Sequence, residues 1–215
     1  MTTDAPVIHV VDDDDSFRSA IARLLRVSGY QVALYDSADR LLEQPLGATP
    51  GCILLDVRMP GLSGPDLQAR LIAAGNPLPI VFLTGHGDIP TSVRAIKAGA
   101  EDFLSKPVSK KTLIEAIQRA LVRYDDTRER NLQFGALRAL VTSLTPREKQ
   151  VFALLVRGKL NKQIAHELGT SERTIKAHRH AVMQKLKVQS LAEAVSIAER
   201  LELLAAPVAG KHETM

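Results

Sequence analysis

Polar side chains able to bind a metal ion and a phosphoryl group follow short apolar runs in the first half of the chain. They are Asp12 and Asp13 after the first run, Asp56 after the third, Thr84 at the end of the fourth and Lys106 after the fifth. Carboxylates gathered in one place repel one another, and a hard cation such as Mg²⁺ or Mn²⁺ relieves that repulsion through oxygen ligands. A carboxylate beside such an ion can attack phosphorus and form an acyl phosphate, whose oxygens a hydroxyl and an ammonium group can contact.

These side chains need a scaffold that brings strand ends together. Over the first 124 residues, helical patterns alternate with five apolar runs: Val7–Val11, Gln31–Tyr35, Cys52–Leu55, Ile80–Thr84 and Asp102–Leu104. This alternation predicts an α/β fold, a five-stranded parallel sheet covered by helices on both faces. Binding groups of such doubly wound sheets collect beyond the carboxyl ends of the strands, so the five polar side chains are expected at one edge.

Composition narrows the class of protein. The 215 residues include one cysteine, Cys52, whose place in an apolar run predicts a buried thiol in a reducing compartment. No apolar run approaches the roughly 18 residues that span a bilayer. The polar start, Met1–Asp4, is unlike a signal peptide. We therefore expect a cytoplasmic protein that does not enter the membrane.

The basic excess lies in the second half. The net charge is +4, yet residues 1–124 carry 13 Lys and Arg against 14 Asp and Glu, whereas residues 125–215 carry 15 against 10. A basic segment can hold nucleic acid, but many surfaces are basic for solubility alone. Charge by itself leaves both interpretations open.

The patterns predict a domain over residues 1–124, a charged linker over 125–142, a second domain over 143–204 and a flexible tail over 205–215. The linker is compatible with a continuation of the fifth helix. The second domain opens on a capping box, Thr145 with Glu148, and four short helices are predicted at about 146–156, 161–168, 172–186 and 190–203.

The middle two of these helices have helix-turn-helix dimensions, with a short turn at Gly169. In the later one, Ile175, Val182 and Leu186 recur at helical spacing and are predicted to face the core. Another face carries Arg173, Lys176, Ala177, His180 and Gln184. A groove-reading helix needs such a face, and a solvated surface helix would also have one.

The first half resembles the receiver domains of two-component response regulators. The resemblance covers residues 5–124 and rests on four motifs in order: Asp12-Asp13, Leu55-Asp56-Val57-Arg58-Met59-Pro60-Gly61 with Gly64, Thr84-Gly85, and Lys106-Pro107. It implies a flavodoxin-like sheet. Val108 is a minor departure, because many members have phenylalanine after Lys-Pro.

The receiver resemblance implies a role for each site residue. Asp56 would accept the phosphoryl group, and the Mg²⁺ ligands would be Asp12, Asp13, Asp56 and the backbone carbonyl of Arg58. Thr84 and Lys106 would contact phosphoryl oxygens, and Phe103 would be the switch aromatic.

Neighbouring residues have simpler explanations. Asp14 and Asp15 extend the acidic run, but helix capping explains them better than metal binding. His86 and Arg58 occupy places that tune phosphoryl lifetime in receivers, although a solvated loop residue is the simpler interpretation of His86.

The second half resembles the LuxR-type helix-turn-helix of the FixJ/NarL family over roughly residues 142–203. The shared stretches are Leu144-Thr145-Pro146-Arg147-Glu148, Gly158, Asn161-Lys162-Gln163-Ile164-Ala165 and Ser171-Glu172-Arg173-Thr174-Ile175-Lys176-Ala177-His178-Arg179. The resemblance implies an all-α four-helix domain. In it Lys176, Ala177 and His180 would face base edges, while Lys162, Arg173 and Thr174 would hold phosphates.

Together the two resemblances imply a phosphorylation-dependent transcriptional regulator. It would not be an enzyme, beyond assisting its own phosphorylation and dephosphorylation. Its partners would be a sensor histidine kinase, double-stranded promoter DNA, RNA polymerase and a second copy of the chain. Two alternatives stay open: a phosphate-independent adaptor, and a phosphohydrolase of the haloacid dehalogenase type with Asp12 as nucleophile.

Overall fold

The computed structural model describes residues 5–46, 49–85 and 89–203, except for the side chains of residues 89–91. Contacts divide the chain into two compact units, Met1–Glu129 and Arg130–Met215. Within the described ranges no helix is long and apolar enough to cross a membrane. His86 and the predicted tail over 205–215 lie outside the described residues.

The first unit alternates strands and helices. In order these are β1 (Val7–Val11), α1 (Asp15–Val27), β2 (Gln31–Tyr35), α2 (Ala38–Leu42), β3 (Gly51–Asp56), α3 (Gly64–Ala73), β4 (Ile80–Thr84), α4 (Ile89–Lys97), β5 (Asp102–Ser105) and α5 (Lys110–Thr142). The five strands pair in parallel in the order β2-β1-β3-β4-β5. This is the flavodoxin-like order, and it confirms the predicted α/β fold class.

The central strand β3 explains why its apolar run is continuous. All six of its residues are buried. Ile53 and Leu55 pack into a cluster with α3, while Cys52 and Leu54 pack into a second cluster with α1 and α5. A strand covered on both faces needs apolar side chains at every position. Burial also raises the pKa of the Cys52 thiol to about 12, which leaves it unreactive.

Several helices begin at side-chain caps that the sequence supplies. Asp14 precedes α1, and its carboxylate accepts hydrogen bonds from the backbone N–H groups of Ser16 and Phe17. Ser63 caps α3 in the same way, with Pro65 in the first turn. Asp14 therefore serves as a helix cap.

Every regular element described in the second unit is a helix, as predicted. It contains α6 (Pro146–Leu155), α7 (Asn161–Glu167), α8 (Glu172–Lys185), α9 (Leu191–Arg200) and the end of α5. The segment 125–142 is helical, since α5 runs to Thr142. Leu137, Leu140 and Val141 in its last turns pack against the core formed with α6, α8 and α9.

Candidate functional site

Strand register brings the predicted polar residues to one edge of the sheet. Val11 pairs with Leu55, so Asp12 and Asp56 are the next residues on neighbouring strands. Asp56 in turn pairs with Leu83, and Thr84 follows it at the end of β4. Thr84 pairs with Ser105, and Lys106 follows directly. The carboxyl ends of four strands thus deliver these side chains to one place.

Three carboxylates form a compact acidic cluster at this edge. Asp12, Asp13 and Asp56 each offer an oxygen that lies within 4.8 Å of the other two. Asp12 is 1% exposed and Asp56 is 7% exposed, whereas Asp13 is open to solvent. The donor set is all oxygen and open on one side, which suits a hard cation that retains water molecules.

Lys106 lies between two of these carboxylates. Its Nζ is 2.5 Å from Asp12 Oδ2 and 3.0 Å from Asp56 Oδ1. The same ammonium lies 4.1 Å from the centre of the Phe17 ring, at cation–π distance. Lys106 is thereby held over the acidic cluster, where it can stabilise additional negative charge.

Burial and neighbouring charges shift the pKa of both Asp56 and Lys106. Burial raises the pKa of Asp56, the neighbouring charges of Asp12 and Asp13 add to the increase, and Lys106 opposes it. Burial alone would lower the pKa of Lys106, but its hydrogen bonds with Asp12 and Asp56 raise it overall. Lys106 is therefore a permanent ammonium near neutral pH.

Asp12 is held in position by contacts that the sequence did not reveal. Arg18 Nη1 donates to the Asp12 carbonyl oxygen at 2.6 Å, and Arg18 Nη2 pairs with Asp15 at 2.7 Å. The Asp14 N–H donates to Asp12 Oδ1 at 3.0 Å. No motif predicted Arg18 or Phe17, because their roles depend on the first turn of α1 lying beside the strand ends.

The remaining receiver residues lie as follows. Thr84 is 2% exposed at the end of β4, and its carbonyl accepts a hydrogen bond from the Lys106 N–H at 2.6 Å. Phe103 is half-buried in β5, with its ring centre 5.9 Å from that of Phe82. Arg58 is exposed in the loop after β3.

Gly64 has a steric role that its place in the motif did not specify. A Cβ at this position would lie 2.3 Å from the Asp56 carbonyl oxygen and 3.1 Å from Val57 Cα. The Gly64 N–H also donates to the Val57 carbonyl at 3.1 Å. The loop after Asp56 therefore folds back on β3 only because residue 64 has no side chain.

Gly64→Ala is expected to displace the Asp56 backbone and to slow labelling by acetyl phosphate about 100-fold, because misplacement of a reacting group by about 1 Å has that effect. The labelling rate and the melting temperature measure this. Gly135→Ala is the matched control, since its Cβ would meet nothing within 4 Å. Equal labelling rates for the two variants would contradict the steric role.

Helix α8 has the two faces that its sequence predicted. Ile175, Val182 and Leu186 are buried. The other face is exposed and carries Arg173, Lys176, Ala177, His180 and Gln184. Lys162 in α7 is exposed, and Thr174 is half-buried with its N–H donating to the Ser171 cap. This exposed face suits insertion into a DNA groove.

A buried carboxylate fixes α8 against α6. Glu148 accepts from the Thr145 N–H at 2.8 Å in the predicted capping box, and it also pairs with Lys185 of α8 at 2.7 Å. Arg147 Nη2 donates to the Leu168 carbonyl at the end of α7, at 2.6 Å. The capping box was visible in the sequence, but the contacts to Lys185 and Leu168 join distant segments and were not.

Glu148→Gln is expected to lower the melting temperature at pH 7, because it weakens the contact with Lys185. The hydrogen bond from Lys185, then that from Thr145, lowers the pKa of Glu148 below its usual value of 4.5. The carboxylate therefore stabilises the fold above about pH 4.5, and this contribution is lost as pH falls through its lowered pKa. The difference between variant and wild type should shrink below pH 4.5. A difference that stays constant from pH 7 to pH 3.5 would contradict the assigned role.

Comparison with known families agrees with this division of the chain. Residues 8–118 match the response regulator receiver domain family. Residues 142–198 match the luxR family of bacterial regulatory proteins.

Relatives match over nearly the whole length. The chain is 44% identical over 202 residues to response regulator protein TmoT of Ectopseudomonas mendocina, covering 94% of this chain and 92% of the relative. Among solved structures, the response regulator StyR superposes with a TM-score of 0.78 at 47% identity, covering 92% of this chain and all of that one. Full-length FixJ from B. japonicum superposes with a TM-score of 0.57 at 41% identity, covering 94% of this chain and all of FixJ.

Both matched families, their order along the chain and the full-length relatives lead to one assignment. The chain belongs to the two-component response regulators that join a receiver domain to a LuxR-type helix-turn-helix domain, and it is a DNA-binding transcriptional regulator.

Proposed function

We propose that Asp56 accepts a phosphoryl group from a sensor histidine kinase and that the acylated receiver promotes binding of the C-terminal unit to promoter DNA. The observation that carries this proposal is the buried carboxylate of Asp56, held between an acidic cluster and the Lys106 ammonium. In the transfer, an Asp56 carboxylate oxygen forms a bond to phosphorus while the phosphorus–nitrogen bond to the kinase histidine breaks. The electron pair of that bond stays with the imidazole.

The site residues fit a divalent metal ion. Asp12, Asp13 and Asp56 would hold Mg²⁺ or Mn²⁺, because their carboxylate oxygens form the compact cluster described above. The receiver resemblance adds the Arg58 carbonyl as a further ligand. When bound, the ion would screen the carboxylates and share the charge of the phosphoryl oxygens.

The chain's own groups orient and stabilise the phosphoryl group. Lys106 already contacts Asp56, so its ammonium is placed to pair with a phosphoryl oxygen once Asp56 is acylated. The Thr84 hydroxyl, at the end of the neighbouring strand, would donate to a second oxygen. Movement of Thr84 and reorientation of Phe103 would then alter the surface formed by α4 and β5. This change is a shift between populations, so weaker DNA binding without phosphate is expected.

On DNA, α8 would lie in the major groove. Lys176, Ala177 and His180 would face base edges, and Lys162, Arg173 and Thr174 would contact phosphates. We further propose that phosphorylation or DNA binding favours a homodimer, that RNA polymerase is a partner and that the chain acts in the cytoplasm.

The two alternatives are weaker. A phosphate-independent adaptor would have no use for the arrangement of Lys106 between two carboxylates. In a phosphohydrolase the nucleophile would be Asp12, but both oxygens of Asp12 accept hydrogen bonds, from Lys106 and from the Asp14 N–H, whereas Asp56 contacts Lys106 through Oδ1. We therefore assign no turnover of phosphate esters to the chain.

Incubation with acetyl phosphate followed by mass spectrometry tests this assignment. One stable label on Asp56 is expected, and release of free phosphate without a label would favour the phosphohydrolase.

Asp13→Ala is expected to weaken Mg²⁺ binding by more than about tenfold, which is the range for losing even an outer partner of a metal ion. Removing the ion with a chelator should stop labelling of the wild type. Asp14→Asn is the matched control, because it removes a neighbouring charge while asparagine still caps α1. A Mg²⁺ titration giving equal affinity for Asp13→Ala and wild type would remove Asp13 from the ligand set.

A further inference from the structure

A buried amide joins α3 to the last turn of α4. Gln68 of α3 is 2% exposed, and its Nε2 donates to the carbonyl oxygen of Ala95 at 3.2 Å. That carbonyl also accepts the Ala100 N–H at 3.0 Å, a bond that closes the end of α4. A buried polar side chain is costly unless its hydrogen bonds are made, so this contact has a fixed geometry.

The described side chains of α4 bury little apolar surface. Among the described side chains of α4, only Ala95 is buried, and two of its apolar residues, Val93 and Ile96, are each 45% exposed. Exposed apolar side chains such as these two contribute little to the free energy of displacing the helix. The buried hydrogen bond from Gln68 is one of the contacts that keep α4 in place.

Cavities flank the contact on both sides. One, of about 410 Å³, lies toward the loop after Asp56 and is lined by Arg58 and Ser63 among others. The other, of about 290 Å³, lies toward Asn76 and Leu78. Gln68 and Ala98 line both cavities. The interface between α3 and α4 is therefore bridged by Gln68 with open space at either side, which leaves room for α4 to shift.

We propose that Gln68 is a positioning residue that holds α4 in its phosphate-free place and so opposes activation. The proposal rests on the proposed function, because acylation of Asp56 is expected to act on α4 through Thr84, at the end of the strand that precedes it. When α4 moves, the bond from Gln68 to the Ala95 carbonyl breaks. The strength of this bond therefore sets part of the free-energy difference between the two states of the receiver.

Loss of the bond should make activation easier. Gln68→Met keeps an unbranched side chain of similar length but removes the hydrogen-bond donor. Gln68→Leu also removes the donor and has a branched apolar side chain. Neither leaves the Ala95 carbonyl without a partner, since Ala100 still donates to it. Gln31→Leu, at the exposed start of β2, is the matched control for the chemical change.

The test uses the full chain with excess Mg²⁺ and beryllofluoride as the phosphoryl mimic. We expect both Gln68 variants to bind beryllofluoride about three- to tenfold more tightly than wild type and Gln31→Leu, which is the range that one net hydrogen bond supplies. Amide hydrogen exchange in α4 should be faster in both variants before the mimic is added, and the mimic should accelerate it in wild type.

Three results would overturn the proposal. Faster exchange in α4 with unchanged beryllofluoride affinity would show that the bond persists in both states and is only structural. Loss of the folded receiver in both variants would show that Gln68 holds the fold rather than one state. Beryllofluoride binding to wild type without any change of exchange in α4 or β5 would instead refute the proposed switch itself.

Discussion

Asp56→Asn is expected to abolish labelling by acetyl phosphate and Mg²⁺, because it removes the one nucleophilic oxygen assigned to the reaction. The variant should fold normally. Burial raises the pKa of Asp56, which means that its charge costs stability at neutral pH, and an amide of the same shape does not carry that cost. Intact-mass spectrometry gives the labelled fraction, and thermal unfolding checks the fold.

Asp12→Asn is the comparison variant, because it distinguishes the nucleophile, Asp56, from a carboxylate that only supports the reaction. Asp12 holds Lys106 and would hold the metal ion, so its loss should slow labelling without preventing it. A stable label on the Asp56→Asn variant, or complete loss of labelling in Asp12→Asn alone, would mean that the acceptor is misassigned.

Lys176→Ala is expected to cost about 1–3 kcal/mol at the target site and to relax base preference there. Lys176 is exposed in the middle of the α8 face and would donate to guanine acceptors in the major groove. Scrambled duplexes should be affected much less. Affinities are measured by fluorescence anisotropy on a duplex selected from random sequences and on its scrambled version.

Arg173→Ala is the matched variant on the same face. Arg173 lies in the first turn of α8, so it would contribute a phosphate contact. Its loss should weaken all duplexes alike and lower the salt slope by about one. If Lys176→Ala lowers both affinities equally, Lys176 is a backbone contact and not a base reader.

The fold was predictable because its signals are local. Apolar runs separated by helical stretches indicate a parallel sheet wherever they occur, and caps such as Asp14, Ser63 and Thr145 lie next to the helices they start. The segment 125–142 was harder to interpret, because its charged residues fit either a linker or an exposed helix. The structure shows that Leu137 and Val141 of this segment pack against the core of the second unit, which the sequence alone did not indicate.

The sequence predicted which residues gather at the acidic site, but it did not predict the distances between them. Strand ends meet at one edge in any such sheet, so the proximity of Asp12 and Asp56 follows from topology. The approach of Lys106 to Asp12, closer than to Asp56, depends on the path of the chain after β5. Contacts between distant elements, including those of Gln68 and Lys185, have no periodic pattern that could reveal them.

The most direct measurement is the affinity of the full chain for its selected duplex, with and without acetyl phosphate and Mg²⁺, by fluorescence anisotropy at constant salt. Phosphorylation of wild type should tighten binding at least about fivefold, the lower end of typical coupling between two sites. Asp56→Asn should bind with the same affinity in both conditions, near that of the phosphate-free wild type. Equal affinities for phosphorylated and phosphate-free wild type, with the label on Asp56 verified by mass spectrometry, would contradict control of DNA binding by Asp56.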